Sequence, residues 1–306
     1  MDGREATPGR SFSGAAPLRW PTAILRKMQT NSPIRLAAFV AIATVTACTG
    51  DDSTATRTGA APDFTGVWSG AFTTQKSEFW ELEDLTACFP GCTPTARAYY
   101  ASLIEDPAND AKPVSELWNM AIVFMREELA KKSTPEGLAI QAANTEASDP
   151  NFRCVPYGLV RAAVNPLPIE IRAEGADLRI VYEEWNQSRL VYMDGRAFPS
   201  DIAPTRLGYS VGRYDGDALV IETRGIEPTL YYDFQSGGGH SAAATVAERY
   251  VIADNPRRLE LDMTVTDPTT LLEPHVIHKT WLATPEIALV EDRCGDVPGK
   301  FPEESQ

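Results

Sequence analysis

The sequence from Asp177 to Thr223 decides the fold class. It reads Asp-Leu-Arg-Ile-Val-Tyr-Glu-Glu-Trp over 177–185 and, after a polar break, Arg-Leu-Val-Tyr-Met-Asp-Gly-Arg over 189–196. Gly-Tyr-Ser-Val-Gly-Arg-Tyr-Asp-Gly-Asp-Ala-Leu-Val-Ile-Glu-Thr follows over 208–223. Apolar and polar residues alternate in these segments, and an Asp-Gly pair interrupts the last one. Because alternation around Asp-Gly is the strongest short-range signal for a β-hairpin, the stretch predicts antiparallel β-sheet.

The same alternation continues on both sides of this stretch. It is clearest in residues 258–267, where Leu259, Leu261, Met263 and Val265 occupy every second position. Many short strands joined by turns are typical of an up-and-down antiparallel barrel or a β-sandwich. The predicted strands are 64–73, 167–173, 177–185, 188–193, 208–214, 217–224, 244–253, 258–267, 276–283 and 287–292.

Residues 76–150 depart from this pattern and predict a helical insertion after the first strand. Residues 93–104 and 114–132 have helical composition, and apolar residues in the second recur near a spacing of 3.6. The helices thus fall within 93–132. Such an insertion covers the open mouth of a barrel or packs on its outer surface, and the sequence leaves both arrangements open.

Residues 1–47 have the features of a signal peptide, with Met28 as an alternative start. The apolar run from Leu36 to Ala47 has basic residues before it and is too short for a final membrane anchor. The Val-Thr-Ala-Cys tetrad that ends at Cys48 resembles a bacterial lipobox, in which that cysteine is lipidated. Because Thr49 and not Asp follows, we predict an outer-membrane lipoprotein that faces the periplasm or the cell surface.

A polar tether, a single domain and a tail follow the predicted signal peptide. Residues 48–62 lack the apolar content of a core. Residues 63–296 have the length of one β-rich domain, and 297–306 are predicted to be disordered. Removal of residues 1–47 takes away six basic and two acidic residues, which changes the net charge from −14 to −18. This acidity argues against nucleic acid as a partner and leaves the lipid as the only membrane contact.

The chain has five cysteines, of which four remain if Cys48 carries a lipid. Cys88 and Cys92 lie across a Pro-Gly turn, and Cys154 and Cys294 bracket the β-region. An even number of cysteines in an oxidising compartment predicts the disulfides Cys88–Cys92 and Cys154–Cys294. A zinc site is the competing interpretation, but no Cys-x-x-Cys pair or histidine cluster supports it, so we predict neither a metal nor a cofactor.

Gly66-Val67-Trp68 opens the predicted domain and resembles the first-strand signature of lipocalins and related calycin barrels. In those barrels the tryptophan plugs the closed end, so the resemblance implies the same position for Trp68. A barrel of this strand count holds either a packed core or one ligand. The candidate wall residues are the aromatic residues Trp68, Tyr182, Trp185, Tyr192, Tyr209 and Trp281, and a plain core is the alternative.

Two titratable residues have neighbours that favour chemistry. His240 follows a glycine-rich loop, and Glu248 shares a strand face with apolar residues. A carboxylate in such a place must be paired or have a raised pKa. The alternatives for Glu248 are therefore a structural pair, with Arg213 or Arg189, and a general acid.

Two other patterns have a simpler explanation. Residues 208–212 match the Gly-x-Ser-x-Gly of hydrolases, but no helix follows Ser210, so we predict an ordinary strand residue. His275 and His278 are three residues apart, which places them on opposite faces of a strand and excludes a shared metal.

Several motifs occur in a specific order along residues 63–296. They are Arg153-Cys-Val-Pro-Tyr, Met193-Asp-Gly-Arg, the segment 208–223, His240-Ser, Glu248-Arg-Tyr and Thr266-Asp-Pro. Together they resemble a widespread family of secreted bacterial proteins of unassigned function. The resemblance implies no activity, but it directs attention to Asp194, Arg196, Arg213, Asp215, Asp217, His240 and Glu248.

These observations lead to three hypotheses of function. The first is a calycin-type barrel that binds a small, largely apolar ligand through Trp68, Tyr182, Trp185, Arg196, Tyr209, Arg213 and Tyr232. The second is an enzyme of the hydratase or isomerase type on the same scaffold. Its base and acid would be His240 and Glu248, with Arg196 or Arg213 on an anionic group and Tyr232 or Asp194 as the orienting residue. The third is a structural lipoprotein of the envelope.

Overall fold

The computed structural model describes residues 62–70, 93–145, 148–150, 155–165, 167–233 and 236–290, all within one compact unit. Of residues 114, 115, 118 and 230–233 it describes the backbone alone. The strands are β1 (Gly66–Ser69), β2 (Ile169–Glu174), β3 (Asp177–Tyr182), β4 (Gln187–Tyr192), β5 (Tyr209–Asp215), β6 (Ala218–Arg224), β7 (Thr229–Asp233), β8 (Gly238–His240), β9 (Thr245–Ala253), β10 (Arg258–Thr266) and β11 (His275–Ala283). The helices are α1 (Pro94–Glu105), α2 (Val114–Lys131), α3 (Pro135–Ala143) and α4 (Leu159–Val164), with 3-10 turns at Pro107–Asn109 and Glu184–Asn186.

Nine of these strands form a closed barrel in the order β1-β11-β10-β9-β6-β5-β4-β3-β2, and β7 pairs with β8 in a separate sheet. The predicted mainly-β barrel with a helical insertion is therefore confirmed. The alternation predicted for 258–267 also holds, because Leu259, Leu261, Met263 and Val265 are all buried. Alternate residues of each strand thus face the barrel interior.

The connection between β4 and β5 departs from the predicted up-and-down order. These two strands are parallel and pair only at Val191↔Ser210 and Tyr192↔Val211. A parallel neighbour requires the chain to return to the end from which it started, and residues 193–208 make that return without a strand. The predicted strand 287–292 is wrong at its described residues 287–290, because β1 already occupies the free edge of β11.

One end of the barrel, which we call the turn end, is closed by tight turns and by the residues that lead into β1. The turns follow β2, β5 and β9, and Gly216 in the second adopts a φ of 64°. Trp68 Nε1 donates to the Phe64 carbonyl at 3.0 Å, and the Phe64 ring stacks on Tyr214 with a centroid distance of 6.2 Å. The guanidinium of Arg257 lies 5.8 Å from the Trp68 ring. The aromatic rings of Phe64 and Trp68 thus fill this end.

The opposite end, the covered end, carries the helices. Ser133 forms a β-bridge with Leu271 in the β10–β11 loop, and Leu129 of α2 belongs to the same apolar cluster as the barrel interior. A Cβ atom at Gly137 would lie only 2.1 Å from the Thr270 carbonyl oxygen, so α3 approaches this loop as closely as glycine allows. Of the two arrangements that the sequence left open, the helices therefore cover the mouth.

Side-chain hydrogen bonds hold the rest of the cover. Gln141 Nε2 donates to the Ser236 carbonyl at 2.9 Å, and Asn144 Nδ2 donates to the Gly237 carbonyl at 2.5 Å. Both acceptors lie next to β8, so α3 fixes the small sheet above the barrel. Helix α4 is buried almost throughout and joins the interior cluster from the same end. None of the described helices is long and apolar enough to cross a membrane.

Candidate functional site

The interior of the barrel contains a buried ion pair between β4 and β9. Arg189 Nη1 donates to Glu248 Oε2 and Arg189 Nη2 donates to Glu248 Oε1, each at 2.7 Å. Only 3% of Arg189 and 1% of Glu248 are exposed. This is the bidentate geometry that makes an arginine–carboxylate pair strong and directional. The arginine partner considered for Glu248 from the sequence is thus Arg189, whereas Arg213 lies elsewhere.

Hydroxyl groups from three strands complete this polar centre. Arg189 Nη1 also donates to Thr223 Oγ1 at 3.1 Å and to Ser210 Oγ at 3.3 Å, and these two hydroxyls lie 2.9 Å apart. Tyr250 Oη donates to Glu248 Oε1 at 2.8 Å. Ser210 is therefore a strand residue, as predicted, and the structure adds its contact with the arginine. We call Arg189, Ser210, Thr223, Glu248 and Tyr250 the arginine centre.

Electrostatics explain why the arginine centre keeps its charge. Burial alone lowers the pKa of Arg189, but the adjacent Glu248 carboxylate more than offsets this, so the net pKa is raised. Burial raises the pKa of Tyr250, and the carboxylate beside it raises it further. The guanidinium therefore stays charged and the phenol stays neutral across the physiological pH range.

A second buried cation lies on β11. Its residues His275, Ile277, Lys279 and Trp281 alternate on the buried face, and 2% of Lys279 and none of Trp281 is exposed. Lys279 Nζ lies 5.5 Å from the centroid of the Trp281 ring. Burial, assisted by the like charge of Arg97 on α1, lowers the pKa of Lys279 to about 7. We call Lys279 and Trp281 the lysine wall.

Three buried donors of the interior have no hydrogen-bond partner among the described residues. They are Tyr182 Oη, Arg189 Nε and Trp281 Nε1. Tyr182 is 2% exposed, and its ring centroid lies 6.0 Å from Arg189 Cζ. Burial raises the pKa of the Tyr182 hydroxyl, so this hydroxyl remains a donor. An unsatisfied buried donor costs about 1–3 kcal/mol, which an acceptor atom in the interior would recover.

His240 and Glu248, the predicted base and acid, are held by different groups. His240 ends β8 at the covered end, where Nδ1 lies 3.1 Å from the Ser241 carbonyl and burial lowers the pKa of the imidazole. Both oxygens of Glu248 are engaged, one by Arg189 and the other by Arg189 and Tyr250. The catalytic roles of these residues stay predictions.

The His240-Ser and Thr266-Asp-Pro motifs meet at the covered end. The carboxylate of Asp267 accepts from Ser241 N at 2.6 Å, Ser241 Oγ at 2.9 Å and Thr270 Oγ1 at 2.8 Å. Burial raises the pKa of Asp267, but these hydrogen bonds outweigh burial and leave the pKa lowered. Asp267 therefore ties the loop before β9 to the loop after β10, a structural role that explains the motif.

Asp194, Arg196, Tyr209 and Arg213 line the outer wall of the barrel and not its interior. Arg196 Nη2 donates to Asp194 Oδ2 at 2.6 Å, and this contact lowers the pKa of the Asp194 carboxyl to about 2. Arg196 Cζ lies 3.8 Å from the Tyr192 ring centroid. A groove of about 230 Å³ beside them is lined by Gly195, Arg196, Phe198, Val211, Gly212, Arg213 and Glu222. Alternation explains this, because Arg189 and Ser210 face inward and these residues face outward.

The remaining predicted residues are scattered. Trp68 lies inside at the turn end, whereas Trp185 sits in the turn between β3 and β4 with a φ of 63° and contacts Tyr157 edge to face. His275 is buried and His278 is half exposed beside Asp262, which confirms that they face opposite ways. The described residues hold no cluster of three His, Cys, Asp or Glu side chains suited to a metal.

Several predictions fall outside the described residues. These are the lipidation of Cys48, the disulfides of Cys88, Cys92, Cys154 and Cys294, and the side chain of Tyr232. Sequence reasoning missed the lysine wall. A signal was available, since Lys279 occupies an apolar position in the alternation of β11.

No family model matches the sequence, and no curated protein or solved structure matches it. The resemblance to a secreted bacterial family therefore stays a prediction.

Proposed function

We propose that this protein binds a small, largely apolar molecule that carries a hydrogen-bond acceptor, in the interior of the barrel. The observation that carries the proposal is the pair of buried donors, Tyr182 Oη and Trp281 Nε1, which have no partner among the described residues. The wall around them consists mainly of Leu, Ile, Val and Met side chains. An apolar wall with a few directed polar groups is typical of small-molecule sites.

The arrangement of the interior suggests where each part of the ligand lies. Most of the arginine centre is satisfied internally, since Glu248 neutralises Arg189 and the hydroxyls of Ser210 and Thr223 accept from its Nη1. The Nε donor of Arg189 has no partner among the described residues, so a guest gains at most one hydrogen bond from this guanidinium. The lysine wall presents the Trp281 donor next to the amine of Lys279. The polar end of the ligand is accordingly assigned to the lysine wall and its apolar part to the rest of the interior.

Calorimetric titration of the purified full chain with octane-derived probes tests this function. Octanol and octanoate should bind, and Trp281→Phe, which keeps an aromatic ring but removes the donor, should weaken binding about tenfold, as expected for one hydrogen bond. Tyr214→Phe is the matched control, because Tyr214 is largely exposed at the turn end. Absence of binding by every probe would refute the proposal, and binding with unchanged affinity in Trp281→Phe would refute the role of the Trp281 donor.

The site of action is part of the same proposal. The resemblance of Val45-Thr46-Ala47-Cys48 to a lipobox supports a protein anchored by its lipid to the outer membrane, and the acidity of the domain argues against nucleic acid as a partner. Detergent-phase partitioning of the expressed protein tests this point. Cys48→Ala should move the protein to the aqueous phase, and an unchanged distribution would contradict the anchor.

A further inference from the structure

A groove opens in the outer wall of the barrel where strands β4 and β5 separate. The two strands pair only at Val191↔Ser210 and Tyr192↔Val211, after which β5 continues to Asp215 while the chain leaves β4. The groove has a volume of about 230 Å³, and we call it the outer groove. Its lining residues are Gly195, Arg196, Phe198, Val211, Gly212, Arg213 and Glu222. Because it lies outside the sheet, it is separate from the interior site proposed above.

The motif Met193-Asp-Gly-Arg fixes one guanidinium at this groove, that of Arg196. Asp194 Oδ1 accepts from the backbone N–H of Arg196 at 3.1 Å, and Asp194 Oδ2 accepts from its Nη2 at 2.6 Å. Gly195 between them has a φ of 74°, a left-handed conformation that favours glycine. Nη1 has one partner among the described residues, Tyr209 Oη at 3.5 Å. Since Nη1 carries two hydrogens, one of its N–H donors is available to a ligand.

Two further guanidiniums, those of Arg213 and Arg224, are held loosely on the same face. Arg213 Nη1 lies 3.7 Å from Glu222 Oε1 and Arg224 Nη2 lies 3.8 Å from Glu222 Oε2, and more than half of each arginine side chain is exposed. Both distances exceed those of an N–H···O hydrogen bond, so one carboxylate serves two cations without a hydrogen bond to either. With Arg196 and Asp194, three guanidiniums face two carboxylates. This part of an acidic protein therefore carries an excess of positive charge.

An aromatic ring beside these cations supplies an apolar surface. Phe198 is half buried and contacts Tyr209 edge to face, with a centroid distance of 6.1 Å. The guanidinium of Arg224 lies over its ring, with Cζ 4.3 Å from the centroid. Val211, also half buried, adds an aliphatic side chain. The groove is smaller than the ~300–1,000 Å³ of sites for drug-sized molecules, so its ligand is small.

We propose that the outer groove binds small aromatic carboxylates, of which benzoate is the simplest. A guanidinium pairs with a carboxylate through two parallel hydrogen bonds, which matches the donors that Arg213 leaves unused. Nη1 of Arg196 is a second donor, and the ring of the ligand packs against Phe198. This site goes beyond the interior function, because its ligand is charged whereas the interior ligand is largely apolar.

Calorimetric titration of the full chain with sodium benzoate tests the site, at low ionic strength where surface charges are least screened. We expect one benzoate per chain, and benzyl alcohol, which has the same ring without the charge, should bind at least tenfold more weakly. Arg213→Gln should weaken benzoate binding about tenfold, as expected for lost charge-assisted hydrogen bonds. Arg172→Gln is the matched control, since it removes a similarly exposed guanidinium from β2 and should leave the affinity unchanged.

A gain of affinity provides a test of opposite sign. Glu222→Gln removes the carboxylate that competes with the ligand for Arg213 and Arg224, so benzoate should bind about threefold more tightly. Equal affinities for benzoate and benzyl alcohol, or an unchanged affinity in Arg213→Gln, would overturn the proposal.

Competition with octanol separates this site from the interior one. Octanol at a saturating concentration should leave benzoate binding unchanged, because the two ligands occupy different places. Displacement of benzoate by octanol would place benzoate in the interior and overturn the outer site. Failure of octanol to bind, with benzoate binding still dependent on Arg213, would overturn the interior function and support the outer site.

Discussion

The arginine centre and the lysine wall are two buried cations in one barrel, and they respond to burial in opposite ways. Arg189 lies 2.7 Å from both oxygens of Glu248 and has a raised pKa. Lys279 lies beside an indole ring and within reach of the like charge of Arg97, and its pKa is lowered to about 7. Burial is nearly complete in both cases, so burial alone does not determine the charge of an interior group. The neighbouring charge decides it.

The two cations also differ in the role of their side chains. The guanidinium donates to a carboxylate and two hydroxyls, all supplied by neighbouring strands, so the arginine centre is a cross-link of β4, β5, β6 and β9. The amine of Lys279 can lose its proton near neutral pH, and a neutral amine is a nucleophile. The same barrel therefore contains one cation that cross-links strands and one amine whose charge changes near neutral pH.

The largest expected effect comes from breaking the ion pair. Glu248→Gln leaves the guanidinium of Arg189 buried without its counter-charge, which should lower the free energy of unfolding by about 3–5 kcal/mol. Urea denaturation measures the change. The double variant Arg189→Met with Glu248→Met should lose less than Glu248→Gln, because no charge is left behind. If the double variant loses as much as the single variants Arg189→Met and Glu248→Met lose when added together, the two residues act independently.

Removal of the buried cation of the lysine wall should stabilise the protein, whereas breaking the ion pair of the arginine centre should destabilise it. Lys279→Met should raise the free energy of unfolding at pH 7, since the folded chain no longer buries an ammonium-forming group. In the parent the folded pKa of about 7 lies below the unfolded value of 10.5, so the unfolded chain binds more protons between these values. Parent stability should therefore rise with pH in this window, by at most about 1.4 kcal/mol per pH unit.

The free energy of unfolding of the parent minus that of Lys279→Met isolates the pH dependence that is due to Lys279, because the two proteins share all other titrating groups. Denaturation at a series of pH values from 6 to 10 provides the measurement. Parallel curves for the parent and Lys279→Met would contradict a lowered pKa at Lys279.

A smaller effect tests whether the hydroxyls support the arginine centre. Tyr250→Phe removes the donor that lies 2.8 Å from Glu248 Oε1 and should cost about 1 kcal/mol. Tyr214→Phe removes a largely exposed hydroxyl and should leave the urea midpoint unchanged. If both variants lose the same free energy of unfolding, the loss in Tyr250→Phe is not due to its hydrogen bond with Glu248.

The smallest effect is expected on the outer wall. Arg213 is exposed, and its Nη1 lies 3.7 Å from Glu222 Oε1, a distance typical of a weak surface pair. Arg213→Ala should change the free energy of unfolding by less than about 0.5 kcal/mol and leave octanol binding unaltered. Loss of octanol binding in this variant would move the ligand from the interior to the outer groove.

Strand periodicity made much of the barrel predictable from sequence. Segments such as 258–267 alternate strictly, so their interior residues were identified correctly. The Asp-Gly pair located the β5–β6 turn for the same local reason. The parallel contact between β4 and β5 was not predictable, because it depends on the path of residues 193–208, which contain no regular pattern.

The candidate site was predicted less well, since side-chain pairing depends on register. Glu248 was identified as a carboxylate on an apolar face, but its partner lies five strands earlier in the sequence, on β4, and could not be chosen from spacing alone. The predicted ligand-binding residues included Arg196, Tyr209 and Arg213, which lie on the outer wall of the barrel. A stricter use of alternation along β5, which sends Ser210 inward, would have placed Tyr209 and Arg213 on the opposite face.

Closure of the barrel has a consequence for how the chain reaches its native state. Strand β1 joins β11, and Thr284 Oγ1 donates to the Val67 carbonyl across a separation of 217 residues. A nascent chain that has not yet delivered β11 leaves β1 and β10 with unpaired edges, and such edges promote aggregation. Contacts of so long a range also form slowly. We therefore expect the barrel to close only when nearly the whole sequence is present, since a chain cut before residue 275 lacks the strand that pairs with both β1 and β10.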